Sequence, residues 1–231
     1  MHALIAQGVR HFPHPTQPEV ASAPAETTTP MEAPASSGAT QPLSPVAFLQ
    51  EARNCDRCPL VLTRKRVVVS ESIAPSPIMV LADFPAPGDE DAAVKSTLFE
   101  APESAASVLA RLLDRLELGD SVHRSFAIKC VPRKGISNES LPRCAPLLAR
   151  EIELVNPDII LAFGHRSLAA LEQVAGTRFP QSQELGNLGR APIGGKERQI
   201  FSLPSARELE LFKEWRGPVW SFLQILKAPP P

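Results

Sequence analysis

From residue 45 onward the apolar residues fall into short runs and helical stripes, whereas before it they are scattered. Ile78-Met-Val-Leu-Ala82 is a continuous apolar run of the length a buried strand takes. Ser125-Phe-Ala-Ile-Lys129 and the runs over 158–163 and 198–203 read as three more strands. Between them, Val108, Leu109, Leu112, Leu113 and Leu116 recur at helical spacing within 105–118. Leu147, Leu148, Ile152 and Val155 do so within 142–155, and 167–174 makes a further helix. Ser44 suits an N-cap and Pro45 the first helical position, which predicts a helix over 46–53. Residues 206–226 read as helical with a break at Gly217-Pro218, because Pro218 cannot donate to the preceding turn. Strands alternating with helices predict an α/β domain over residues 45–228. It is expected to be three-layer α/β/α with a four-stranded parallel sheet. Ligands of such sheets bind outside the carboxyl ends of the strands, here 82–88, 129–133, 164–165 and 203–205.

Composition changes the picture at the N-terminus. The chain has 231 residues and 25 prolines, and eight of those prolines fall between Pro13 and Pro45. Ala, Ser, Thr and three glutamates separate them. Such a stretch buries too little apolar surface to offset its ordering entropy, so residues 13–44 are expected to be a disordered, partly extended linker. Ahead of it, Leu4, Ile5, Val9 and Phe12 can line one side of a short helix or turn. Residues 1–12 read either as a frayed terminus or as a short interaction motif on a tether.

Net charge is −1, from 24 Lys+Arg against 25 Asp+Glu, which excludes a strongly basic nucleic-acid grip spread over the whole chain. No apolar run approaches the roughly 18–20 residues that span a bilayer, and residues 1–12 lack a secretory pattern. The expectation is a cytoplasmic protein. In a reducing compartment, four thiols with one tight pair point to a metal or cluster site rather than to disulfides. They are Cys55 and Cys58, two residues apart, then Cys130 after a strand and Cys144 at the opening of a helix. Four thiolates suit tetrahedral zinc or a [4Fe–4S] cluster, and buried free cysteines are the plain alternative.

Several of these segments together resemble a known family. Cys55-x2-Cys58-Pro-Leu-x3-Arg64, Lys129-Cys130-x-Pro132, Cys144-x-Pro146-x-Leu148 and the stretch from Glu151 through Asn156-Pro157 to Gly164 resemble the bacterial and archaeal iron–sulfur uracil-DNA glycosylases, family 4 of their superfamily. The match runs from about Cys55 to Leu226. It implies a uracil-DNA glycosylase-like fold, DNA as a partner and a [4Fe–4S] cluster on Cys55, Cys58, Cys130 and Cys144, with zinc as the alternative.

The residues that would work on a base depart from that family's pattern. Its first motif, Gly-Glu-x-Pro-Gly, corresponds to Ala82-Asp83-Phe84-Pro85-Ala86, so Asp83 keeps a carboxylate on a shorter arm. Phe99 matches the ring that stacks on uracil, and reads equally well as core. The uracil-reading Asn corresponds to Phe126, which has no amide. The closing His-Pro-Ser corresponds to Leu203-Pro204-Ser205, and Leu203 cannot donate to a departing anion. Losing one such donor costs about 3–4 kcal/mol in barrier. His165 reads as a surface or pocket-edge histidine. Arg64-Lys65-Arg66 reads as a phosphate contact or a solvated face, and Trp215 and Trp220 as core or as base-stacking rings.

A second, looser resemblance fits the loss of chemistry. Residues 4–12, and 202–220 ending in Pro218-Val-Trp220, resemble the psi subunits of bacterial DNA polymerase III clamp loaders, which have a glycosylase-like fold without the activity. It implies that Leu4, Ile5, Val9 and Phe12 bind the loader's tau/gamma subunits while the body meets chi. The expected function is a non-catalytic replication or repair accessory. The alternative is an active DNA glycosylase excising uracil or another damaged base.

Overall fold

The computed structural model describes residues 44–91, 98–119, 121–137, 139–179 and 186–224. The N-terminal motif residues Leu4, Ile5, Val9 and Phe12, the linker up to residue 43 and the end of the domain past residue 224 lie outside the described residues.

The chain forms α1 (Pro45–Arg53), a 3-10 turn (Pro59–Leu62), β1 (Ile78–Ala82), α2 (Pro87–Asp91), α3 (Ser107–Arg115), β2 (Val122–Phe126), α4 (Ser140–Val155), β3 (Ile159–Phe163), α5 (His165–Ala175), β4 (Gly186–Ile193), β5 (Lys196–Leu203), α6 (Ala206–Leu211), a 3-10 turn (Lys213–Trp215) and α7 (Arg216–Gln224). The strands make one sheet in the order β2-β1-β3-β5-β4. β1, β2, β3 and β5 are parallel, with Ala82 level with both Phe126 and Phe163, and Phe163 level with Leu203. The carboxyl ends of all four parallel strands therefore share one edge.

α3, α6 and α7 cover one face of the sheet through Leu109, Leu113, Leu209, Val219 and Leu223. α4 and α5 cover the other through Leu148, Ile152, Ala170 and Leu171. This is the expected three-layer α/β/α arrangement. Beside α4, Phe48 and Ala52 of α1 join Leu60, Ile128 and Leu147 in a third apolar cluster. Ser44 caps α1 as its sequence predicts, its hydroxyl accepting from Ala47 N–H at 3.1 Å.

Four expectations are corrected. The sheet has five strands, because β4 runs antiparallel to β5. Its sequence, Gly-Asn-Leu-Gly-Arg-Ala-Pro-Ile, holds no apolar run, and a register shift between Asn187 and Gly189 breaks the alternation. Gly194 and Gly195, both at positive φ, close the hairpin. Pro192 is tolerated because β4 is an edge strand.

β2 spans 122–126 rather than 125–129. Its polar residues His123, Arg124 and Ser125 have buried partners, while Ala127 and Ile128, though buried, lie past the strand. Cys130 thus sits beyond the strand rather than at its end. Likewise Cys144 lies inside α4, not at its opening.

The C-terminal helix breaks at Phe212, not at Gly217-Pro218. Pro218 falls in the first turn of α7, where its missing N–H has no intrahelical partner to lose. Trp215 and Trp220 pack against the first core cluster, which is the core reading of those rings.

Candidate metal centre and pocket

All four cysteines are free thiols. Cys130 and Cys144 are buried and Cys55 and Cys58 half-buried. Cys55 and Cys58 flank the end of α1 and the start of the 3-10 turn at Pro59, so the x2 spacing is set by one bend of the chain. Cys130 follows β2 and Cys144 occupies the second turn of α4. The thiols share one neighbourhood. Cys130 feels the charge of Cys144 and Cys58, and Cys144 that of Cys55 and Cys58.

Burial pushes the Cys130 thiol up to about 11, and a hydrogen bond from Arg64 opposes it. Burial likewise raises Cys144, against the Lys129 charge and the Lys129 backbone N–H. Phe48, Leu60, Ile128 and Leu147 form one apolar cluster with Cys130, and Cys55 and Cys58 pack against it. Among the described residues, no three His, Cys, Asp or Glu side chains converge on a single ion. Four thiols, two of them approached by N–H donors beside an apolar cluster, are a donor set that fits a thiolate-held group.

At the shared strand edge several of the sequence-predicted residues make defined contacts. Asp83 Oδ1 accepts from Ser167 N–H at 2.9 Å and from Ser167 Oγ at 3.1 Å. Ser167 is the third residue of α5, whose N-cap Gly164 has no side chain to offer. Asp83 therefore caps α5 from the neighbouring strand. Burial raises the Asp83 carboxyl, and the Ser167 hydrogen bonds and the His165 and Arg166 charges pull it back. Gly164 allows this approach, since a Cβ there would overlap the Asp83 carboxylate. Ser205 caps α6 in a reciprocal box with Glu208.

Phe99 and Phe126 are both fully buried and meet edge to face, ring centroids 5.0 Å apart. Phe99 is thus part of the first core cluster. It also lines a cavity of about 840 Å³ with Ser107, Arg111, Asp114 and Arg124, none of them a motif residue. Leu203 is buried too, while His165 is exposed at the first position of α5. Phe84 remains partly exposed beneath the guanidinium of Arg166, 5.6 Å from its ring centre.

Two features escaped the sequence reading. The first is a buried ionic network. Glu151 on α4 takes the Lys129 ammonium, the Ser125 hydroxyl at 2.7 Å and His123 Nε2 at 2.9 Å. The signal was an acid inside an apolar stripe, between Leu148 and Ile152. The second is Glu90, whose side chain is fully buried. It accepts from Lys65 N–H at 3.1 Å and pairs with Arg133, which ties α2 to the loops beside Arg64 and Cys130. Of the basic run, Lys65 forms an exposed ion pair with Asp91 and Arg64 turns inward to the thiols.

The family model of the uracil DNA glycosylase superfamily matches residues 72–227. The chain belongs to that superfamily. Curated relatives agree. A "Type-4 uracil-DNA glycosylase" of Pyrobaculum aerophilum is 30% identical over 138 residues, 59% of this chain and 67% of that protein. Proteins of the same description from Saccharolobus solfataricus and Thermotoga maritima are 30% and 28% identical, each over 52% of this chain and over 56% and 62% of their own lengths. The match to the superfamily contains Asp83, Phe99, Cys130 and Cys144, while Cys55 and Cys58 precede it. Among the described residues no helix is long and apolar enough to cross a membrane.

Proposed function

We propose that this superfamily member carries a [4Fe–4S] cluster on Cys55, Cys58, Cys130 and Cys144 and serves DNA replication or repair without excising uracil. The observation that carries the second half is the contact of Phe126 with Phe99. Base excision needs an extruded base held against a ring and read by an amide. Here the position that would supply the amide supplies a second buried ring, packed on the first. Leu203 offers no donor for a leaving anion, and Asp83 is engaged in holding α5.

The cluster, when bound, supplies a covalent cross-link between segments far apart in sequence. Cys55 and Cys58 anchor the end of α1, Cys130 the loop after β2 and Cys144 the second turn of α4. Lys129 N–H and Arg64 hold the sulfurs of Cys144 and Cys130, and the apolar cluster of Phe48 and Leu147 packs beside them. Residues 1–12, through Leu4, Ile5, Val9 and Phe12, are the proposed contact for clamp-loader tau/gamma, with the domain body toward chi.

The type-4 descriptions of the relatives and the carboxylate kept at Asp83 favour the second reading, an enzyme excising uracil or another damaged base. A uracil-release assay on single- and double-stranded uracil DNA separates the two. Release at background supports the accessory role, and robust turnover abolished by Asp83→Asn overturns it.

A further inference from the structure

Arg64 joins the two halves of the cysteine set. One arm of its guanidinium, Nη1, donates to Cys130 Sγ at 3.4 Å, and the other, Nη2, donates to the backbone carbonyl of Cys55. Its own main chain is fixed, since its N–H donates to Leu60 O at 3.0 Å as the chain leaves the 3-10 turn. The cations around it face carboxylates: Arg53 on Glu71, Arg57 on Glu51, Lys65 on Asp91 and Arg133 on Glu90. Among the described residues no carboxylate pairs with Arg64, so its charge is directed at sulfur and carbonyl alone.

We propose that Arg64 is the positioning residue of the thiolate site, clamping the Cys55 segment to Cys130 and setting the electrostatic field at the sulfurs. The proposal rests on the cluster reading given above. The fork geometry of arginine is what reaches two acceptors at once, which a lysine point charge cannot do. A cluster held by four thiolates becomes more negative when an electron is added. A fixed positive charge and an N–H donor on one sulfur stabilise that reduced form and raise the potential. Partners of this kind outside the ligand set typically change metal retention by about 10–100-fold.

The test compares the full chain, purified anaerobically, with its R64K and R64M variants. Iron and acid-labile sulfide are assayed first, and their absence from the unaltered protein removes the cluster reading itself rather than the role of Arg64. In loaded protein, both variants should lose iron to a chelator about tenfold faster or more. In electrode titrations R64M should have a more negative midpoint potential, while R64K, which keeps the charge, should stay near the parent. Chelator release at the parent rate in R64K, or a parent potential in loaded R64M, overturns the proposal. If R64M does not fold, release from R64K alone decides.

Discussion

Asp83 and Ser167 are joined across the strand edge, one carboxylate oxygen accepting from both the backbone N–H and the hydroxyl of the serine. Oδ1 of this carboxylate thus caps the first turn of α5. Losing a cap typically costs about 1 kcal/mol. Asp83→Ala should lower stability by about that amount, and Asp83→Asn, whose oxygen can still accept, by less. Urea midpoints of the two variants check this. Equal losses from both would mean that the charge, not the cap, is what Asp83 contributes.

The Phe99–Phe126 pair should behave as core. Truncating either ring to alanine should cost about 3–5 kcal/mol, because both are fully buried. Edge-to-face pairs contribute about 0.5–1.5 kcal/mol beyond burial, so the double variant should be non-additive by that order. A double-mutant cycle from denaturant unfolding measures the coupling, and strict additivity would remove the ring contact as a stabilising feature.

Glu151 sets an acid limb. Burial pushes its carboxyl up, but Lys129 and His123 more than reverse this and hold it at about 2, against an ordinary 4.5. A depressed folded value contributes stability that is complete above the unfolded value and lost as pH falls toward the folded one. That contribution should therefore fade between about pH 4.5 and pH 2. Glu151→Gln should be destabilised by about 3–5 kcal/mol at pH 7, since it strands the buried Lys129 ammonium. Its deficit should shrink on acidification through that window. A deficit independent of pH would show that the network is not ionised as described.

The cysteine site should be visible directly. Protein prepared without oxygen should be brown and contain iron and acid-labile sulfide. Cys58→Ala should lose the colour and much of the thermal stability, because such sites contribute folding energy outright. Colourless protein with stoichiometric zinc would replace the iron assignment.

The N-terminal segment is tested by itself. A peptide of residues 1–14 should bind the tau/gamma subunit of the clamp loader. Its deletion should abolish that binding without changing the melting temperature of the domain. Equal affinity with and without the segment would exclude it as the docking element.

Apolar runs and stripes were enough to place β1, β3, β5 and helices α1, α3, α4 and α5, because a strand or helix buried on the sheet must show its period in its own residues. The same local logic made the four cysteines legible, and Ser44 as a cap. What only the tertiary structure decided involves partners distant along the chain. β4 shows no period because glycines, a proline and a register shift interrupt it, and its pairing with β5 alone makes it a strand. β2 tolerates polar residues in a buried strand because Glu151 on α4 and the Leu98 carbonyl, both distant in sequence, bond to His123, Ser125 and Arg124. Phe126 and Phe99 are each plain phenylalanines until the sheet brings their rings together. The cap that Asp83 gives α5 is invisible in sequence, because it depends on Gly164, which has no side chain to cap its own helix, lying beside the carboxylate. Hydrophobic periodicity is written within one element, whereas the use of a polar or aromatic side chain depends on what the fold places opposite it.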